Sequence, residues 1–529
     1  MRTIIITTLI ILICQILFAQ KTEVYYGVSG RNDVVDDIIE LYDNGYYIIG
    51  GFESGYQNYN GWNIKTDINL ELIYDKVLEH ELSTVAQFAS VSDENGNIYV
   101  TGFTTYPSQW PFVTKLDSCG NKVWCKILDY SDEFEFGAAR DIWLTKENEV
   151  IILTGFESES QIDKVHLICL SADGAVQWTK PYASRNDYSW IRNPSGYSIK
   201  EINNDYYISG YCYWPYPNDT THFFLRPLFI GIDSLFNEKW ILPFYALDSV
   251  YGDAFNTIAI NDSVLMGVGM RRLEGPMENS LLMFFDIEGN ELGYNQIPNE
   301  AIEPDISQNY ILDIETINDS LFIAATSVGY NNTTFPSAEI IIDTSSNIFN
   351  YSYHIGTNGH NYLCKTFDNN FVFTTGIDEN KGDDDIYVYK IDENLEDVPF
   401  DPTPHTYDSL CPGGIQSSTI DLTDCLVWTN IGDAPSPQEY YESIKQIPIK
   451  AYPNPVNGGE VTFEYENTEH HRNIELKCFD IYGELVHKEK VYRYQGESVV
   501  DVSSWKNGMY VAVVYSEGMP VGQCKFVIK

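Results

Sequence analysis

Apolar and polar residues alternate in short runs along most of this chain, and no long stretch carries the rhythm of an amphipathic helix. Runs such as GYYIIGGF (45–52), NIYVTGFT (97–104), EVIILTGFES (149–158) and DYYISGY (205–211) are rich in Tyr, Ile, Val and Thr, which favour strands. Seven such runs end at a small residue: Gly51, Gly102, Gly155, Gly210, Gly267, Ala325 and Gly376. The successive gaps are 51, 53, 55, 57, 58 and 51 residues. A period of about 50 marks a propeller or an array of repeats.

Each unit repeats one internal order. An apolar strand, as in AQFASVSDEN (86–95), leads into a turn of Asp, Asn or Gly. The strand ending at the glycine comes next, then a variable loop. A third strand stops at Asp67, Asp117, Asp233, Asp286, Asp343 or Asp392, with Ser171 in the remaining unit. An aspartate there can cap a turn with its own side chain. Seven residues on, Tyr74, Trp124, Trp178 or Trp240 opens a fourth strand. Four antiparallel strands make one propeller blade, so the pattern predicts an all-β chain with a seven-bladed β-propeller over residues 20–400. The seventh unit lacks a fourth strand of its own. The segment KTEVYYG (21–27) is expected to supply it by pairing near Tyr387–Ile391, which would remove two exposed sheet edges. The repeat resembles exported bacterial propeller repeats with a GNIYVTG…KLD..G…W rhythm, a likeness of fold that says little about activity.

From Asp401 the rhythm stops. Residues 401–446 are rich in Pro, Gly and Ser and read as a linker with a small looped element. Residues 447–529 then read as seven short strands, a small Ig-like β-sandwich. Pro453-Asn454-Pro455 forces a corner, because proline fixes its own φ and restricts its predecessor. This segment resembles the type A C-terminal sorting domain of the type IX secretion system of Bacteroidota. It carries Tyr452-Pro453-Asn454-Pro455, Asp480 with Gly483, Gly508 with Tyr510, and Lys525 in the last strand, in the family's order. It departs from the family's pattern at Cys478 and Cys524, where ordinary apolar residues are expected. The resemblance implies passage through the type IX machinery, removal of the sorting domain, and either attachment to surface lipopolysaccharide or release. The repeat region would then be the cargo.

The start of the chain fits that route. In MRTIIITTLIILICQILFAQ one positive residue, Arg2, precedes an apolar stretch that closes at Ala19 before Gln20. That is the shape of a signal peptide over 1–19, cleaved between Ala19 and Gln20. Leu12-Ile13 before Cys14 is a poor lipoprotein signal, and no later segment is apolar enough to span a bilayer. Export to the outer surface or the medium is expected.

Charge narrows the partners. With 32 basic and 76 acidic residues the net charge is −44, which repels nucleic acid and anionic membranes. The acidity serves solubility, or attracts Ca²⁺ or cationic ligands. Without Cys14, nine cysteines remain in a compartment that permits disulfides. Cys119 with Cys125, Cys411 with Cys425, and Cys478 with Cys524 are the candidate pairs. No Cys/His cluster suggests zinc.

The search for chemistry returns little. There is no Gly-rich phosphate loop, no H-E-x-x-H and no G-x-S-x-G, so no catalytic, cofactor or metal residue is assigned. SADGAVQW (171–178) is superficially like a sialidase Asp box, but its glycine comes one position early and Gln177 replaces the threonine. His470-His471 reads as a solvated pair. DENKGDDD (378–385) lacks the alternating ligands of a calcium loop. Paired carboxylates for glycoside hydrolysis are a spatial arrangement that spacing does not reveal. Binding is easier to motivate: GYQNYNGW (55–62), TYPSQW (105–110) and CYWPYPND (212–219) carry aromatics suited to stacking on sugars or peptides. Trp62, Trp110 and Trp214 are the candidate ligand contacts, although rings in these loops serve equally well to cover blade edges. The leading expectation is a binding module for carbohydrate or protein, and the alternative is a secreted hydrolase or lyase.

Overall fold

The computed structural model describes residues 22–529 except 29, 56–57, 106–107, 131–135, 158–163, 184–190, 217–218, 247–250, 273–277, 303–305, 330–336, 355–360, 378–383, 408–410, 412–415, 429–433, 444–448, 467–473, 482, 492–494 and 517–518. The signal-peptide residues Ala19 and Gln20, the His470-His471 pair and most of the 378–385 acidic run lie outside the described residues. The chain is all-β, and its described helices are the short segments Asn299–Ile302 and Pro437–Ser443. Two compact units emerge: residues 1–143, 151–168 and 180–432 form one, and 144–150, 169–179 and 433–529 the other.

In the first unit, antiparallel strands fall into sets of four. Their first strands are Asp33–Glu40, Val85–Ser92, Phe136–Leu144, Arg192–Ile202, Gly252–Asn261, Gln308–Asn318 and Asn361–Lys365. Sets five and six join into one sheet through a single parallel bridge, Glu278 to Gln308. The seventh set is completed by the start of the chain: Glu23–Tyr26 pairs antiparallel with Asp385–Ile391, in the register Glu23–Tyr389 to Tyr26–Ile386. This is the pairing anticipated from KTEVYYG.

The regular aspartates have the expected task. The Oδ1 of Asp117 accepts the N–H groups of Cys119 at 2.9 Å and Asn121 at 2.8 Å. Asp67, Asp233, Asp286, Asp343 and Asp392 accept the same i+2 and i+4 pair. Ser171 substitutes its hydroxyl, which accepts from the Ala175 N–H. Each turn thus satisfies in situ two donors that would otherwise need water.

The repeat glycine also has a cause. The first strands of sets one, two, four, five and six each carry a β-bulge, between Val35/Asp37, Gln87/Ala89, Gly196/Ser198, Ala254/Asn256 and Ile311/Asp313. In sets one, two, four and five the bulge pushes a carbonyl against a glycine of the second strand, whereas Thr326 holds that position in set six. A Cβ on Gly50, Gly102, Gly210 or Gly269 would stand 1.9–2.0 Å from that oxygen. The glycines that face the bulge in sets one and five are therefore Gly50 and Gly269, not Gly51 and Gly267 as the run endings suggest.

After the seventh set the chain doubles back over the first two. Ser418–Asp421 adds a fifth, parallel strand to Leu72–Glu79, and Leu426–Trp428 does the same on Lys122–Leu128. Disulfides Cys119–Cys411 and Cys125–Cys425, with Cα atoms 5.5 and 5.0 Å apart, fasten this strap. The local pairs Cys119–Cys125 and Cys411–Cys425 are thereby corrected. Strand addition lays the two segments side by side, so each cysteine meets its counterpart across them. Cys478 and Cys524 remain thiols. Both pair with Ala512, from opposite sides, so a whole strand separates them.

In the second unit, Ile449–Tyr452, Glu460–Glu466 and Gln495–Asp501 form one sheet. Leu485–Lys490, Ile474–Phe479, Gly508–Ser516 and Met519–Ile528 form another. Phe463, Tyr465, Val500, Leu476, Ala512, Val514 and Phe526 from both sheets share one core. Alternation along each strand supplies the inward face.

Candidate functional site

Acidic side chains of the first strands reach across to neighbouring sets. Asp37 accepts the N–H of its neighbour Ile38 at 2.8 Å, and the N–H and hydroxyl of Ser90 in set two at 2.8 and 2.9 Å. Asp141 accepts the N–H groups of Ile142 at 2.8 Å and Ile199 in set four at 2.7 Å. Asp313 accepts from Ile314 at 2.9 Å, Leu363 in set seven at 3.2 Å and Asn256 in set five at 2.6 Å. These carboxylates are staples between sets, each satisfying a backbone donor on its own strand and one on a neighbouring first strand.

The first strands converge on a charged centre. Lys200 of set four lies among Asp141, Asp313, Glu315 and Asp37. Burial by itself would lower its ammonium, but those carboxylates outweigh it and raise the pKa. Burial pushes Asp36 up to about 8, reinforced by Asp37. Burial also lifts Asp37 to about 6 against its bonds to Ser90, and Glu315 to about 6 with help from Asp313. All five acids and Lys200 are only half-buried by water access, yet protein surrounds them. A narrow, water-reached space between strands has that character. Tyr362 of set seven stands beside Asp36, Asp37 and Asp313.

Aromatic rings form an arc at the bulges. Phe88 meets Phe103 at 5.6 Å, and the Arg140 guanidinium lies 5.0 Å from the Phe88 centroid. Tyr197 contacts Tyr211 at 5.5 Å and Phe255 at 5.2 Å, and Phe255 contacts Tyr310 at 6.1 Å. Next to this arc, between sets three and four, is a small cavity. Arg140, Gln109, Glu157, Ser195, Tyr211 and Gly155 contribute to its lining.

The three tryptophans singled out from sequence do not form a shared surface of exposed loop tips. Trp62 is 8% exposed, lies in Asn58–Thr66, and donates its indole N–H to Asp75 at 2.9 Å. Trp110 is 2% exposed and packs on Phe156 at 6.4 Å. Trp214 is half-buried, edge-on to Tyr245 at 5.3 Å and 5.3 Å from the Arg226 guanidinium. Trp62 and Trp110 sit at strand positions whose alternation turns them into the core, a direction that loop-like sequence around them conceals. Sequence reasoning missed Arg140, Lys200 and the stapling aspartates. The recurring DI and SI pairs at 37–38, 141–142, 198–199 and 313–314 were a usable signal.

For metals, the one group among the described residues is Cys125, Asp424 and Cys425. Its two sulfurs are joined in a disulfide, which removes the thiolates a metal would need.

In the second unit the corner motif is tied to the end of the chain. Asn454 donates its amide to the carbonyl of Lys525 at 3.0 Å, and its Oδ1 accepts the N–H of Val527 at 3.0 Å. Val456 donates to Val527 at 2.7 Å and accepts from Lys529 at 3.0 Å. Both proline bonds, Tyr452-Pro453 and Asn454-Pro455, are cis. The Tyr452 hydroxyl donates to Glu497 at 2.7 Å. Asp480 accepts the Glu484 N–H at 2.9 Å across a turn where Gly483 takes φ +81°. Gly508 pairs with Ile528, Tyr510 stacks on Phe526 at 5.6 Å, and Lys525 is exposed.

Residues 450–529 match the secretion system C-terminal sorting domain. The chain is thus a secreted Bacteroidota protein with a type IX sorting tail. That tail implies contact with the secretion machinery and export to the cell surface or extracellular space. No helix among the described residues is long and apolar enough to cross a membrane. No curated protein has a matching sequence. Among solved structures, a Dyadobacter fermentans protein of unknown function aligns with TM-score 0.42 and 9% identity over 57% of this chain and 93% of its own. Trypanosoma rangeli sialidase in complex with the inhibitor DANA aligns with TM-score 0.38 and 8% identity over 93% of this chain and 85% of its own. A subtype N10 neuraminidase-like protein from a little yellow-shouldered bat influenza virus aligns with TM-score 0.32 and 11% identity over 69% and 96%. Likeness at that level carries no activity across.

Proposed function

We propose that residues 20–400 form a seven-bladed β-propeller that binds a carbohydrate or protein ligand outside the cell, with an Ig-like sorting module at 447–529 as its delivery address. Supporting the propeller is the completion of set seven by Glu23–Tyr26, together with the meeting of acids from sets one, three and six around Lys200.

The observation that favours binding over hydrolysis is the use of the central carboxylates. Asp37, Asp141 and Asp313 each accept at least two backbone N–H groups. A carboxylate committed in this way is a poor proton shuttle or nucleophile. The aromatic arc beside them offers flat apolar faces with polar edges, suited to sugars or peptide side chains. After cleavage of the tail, attachment to lipopolysaccharide or release remains the expected fate of the propeller.

A hydrolase reading has one observation in its favour. Asp36 and Glu315 are lifted to about 8 and about 6 in the same space, the condition of a general acid. One experiment weighs both readings: purified secreted protein is assayed against polysaccharides and surface proteins, with binding and product formation read in the same wells. A specific ligand without products supports the binding module. Turnover abolished by Asp36→Asn sinks it in favour of the enzyme.

A further inference from the structure

We propose that the cavity between sets three and four is a carboxylate subsite, and that its ligand is a single uronate residue on an otherwise neutral glycan. The inference rests on the binding reading above and names the ligand class for it.

The cation comes first. In a chain of net charge −44, Arg140 forms no ion pair among the described residues. Its surroundings are aromatic: the Phe88 ring lies 5.0 Å from the guanidinium, and Tyr197 and Tyr211 both feel its charge. The acid in the cavity's lining, Glu157, is exposed at its edge. Arg31 pairs with Asp33 and Arg272 with Glu278, whereas Arg192 and Arg271 lie over rings as Arg140 does, but do not line this cavity. A guanidinium kept clear of so many available acids presents its fork to something else, and a planar carboxylate matches that fork with two parallel hydrogen bonds.

Gly50, Gly102, Gly210 and Gly269 are glycine because a bulge carbonyl crowds them. Gly155 stands one residue beyond the bulge-facing position of set three, aligned with Phe103 in set two and Tyr211 in set four, and has no side chain where they carry rings. A Cβ there would meet only the Ser195 hydroxyl, at 3.7 Å. The room left open is the cavity itself, of about 20 Å³. That exceeds the roughly 10–15 Å³ needed by one water and suits a carboxylate rather than a whole sugar. Donors for its second oxygen are at hand in the hydroxyls of Ser195 and Tyr211, which both line the cavity.

The surroundings point to a sugar. Tyr213, 36% exposed, stands edge-on to Tyr211 at 6.2 Å and offers a face outside the cavity on which a ring can stack. The net charge opposes a polyanion at long range, which favours one uronate among neutral sugars over a run of them.

The test uses the full secreted protein and calorimetric titration with a xylo-oligosaccharide bearing one glucuronate. The same oligosaccharide with its carboxyl reduced to an alcohol, and a peptide with a free C-terminal carboxylate, serve as comparison arms. Binding of the glucuronate form is expected to exceed both by at least tenfold. It should fall at least tenfold in Arg140→Gln, partly recover in Arg140→Lys, and be lost in Gly155→Val, which fills the cavity without touching the charge. Each variant is checked for an unchanged melting temperature, and Gly155→Ser replaces the valine if folding suffers. Equal binding of the reduced sugar, indifference to Arg140→Gln, or preference for the peptide overturns the uronate assignment while leaving a binding propeller standing. Failure of every glycan and protein ligand in the wider panel is the distinct result that overturns the binding reading as well.

Discussion

Replacing Asp36 by asparagine should stabilise this protein at neutral pH, and by an amount that grows as the pH rises. Asp36 sits beside Asp37 in the first strand of set one and accepts no hydrogen bond among the described residues. Burial first, and Asp37 second, lift its carboxyl from 3.8 to about 8. The folded state therefore holds a proton that the unfolded chain releases near pH 4. Between those values the native state binds more protons, so stability falls as pH rises. At pH 7 the window already crossed is about 3 units, which at about 1.36 kcal/mol per unit is about 4 kcal/mol. Above pH 8 the loss levels off near 6 kcal/mol on the same arithmetic. Asparagine keeps the shape and cannot ionise. Denaturant unfolding of both proteins at pH 4.5, 7 and 8.5 isolates the effect, because the acid-rich surface is common to both and cancels. The variant's advantage should be small at pH 4.5, several kcal/mol at pH 7 and largest at pH 8.5. A difference that stays flat with pH, or that favours the wild type more strongly at pH 8.5, would refute the reasoning.

Other consequences are equally direct. Gly102→Ala places a methyl 1.9 Å from the Ala86 carbonyl oxygen and should cost about 3 kcal/mol, whereas Gly155→Ala should change stability by less than about 1 kcal/mol; paired melting curves decide. Asp117→Ala removes the acceptor for two turn N–H groups and should cost about 1–2 kcal/mol, while Asp117→Asn keeps most of it. Reducing both disulfides frees loops with sequence separations of 292 and 300. The first bridge to close accounts for about 5–6 kcal/mol in the chain-entropy account, and the second, closing only a short loop within the first, for less. The double variant Cys119→Ser/Cys411→Ser should therefore retain most of the midpoint, and loss of Cys125–Cys425 in addition should drop it sharply. Asn454→Ala breaks the bonds that hold the corner to Lys525 and Val527. Less protein should reach the medium, measured against an unchanged signal-peptide-processed pool in the cells.

Short-range chemistry was legible in the sequence. The strands, the four-strand unit, the Asp-capped turns and the pairing of the N-terminal strand with the seventh set followed from alternation, from turn residues and from one unit lacking a strand. The sorting tail followed from Tyr452-Pro453-Asn454-Pro455 and the residues after it. All of these depend on neighbours within a few positions, or on a repeat that restates them. What the sequence left open depends on which residues meet across sets. Cysteines six and fourteen residues apart looked like local pairs, yet strand addition by 418–428 crossed them over. Trp62 and Trp110 looked like loop-tip rings, yet the register of their strands turned them inward. The acids around Lys200 are scattered from Asp37 to Glu315 along the chain, and only the convergence of the first strands brings them together. Gly155 reads like every other repeat glycine; that it stands one residue past the bulge-facing position and borders the cavity beside Arg140 shows only in the strand pairing. Local preference is set by each residue's own side chain, but proximity between distant residues is set by the tertiary arrangement of sheets, and the candidate site consists entirely of such meetings.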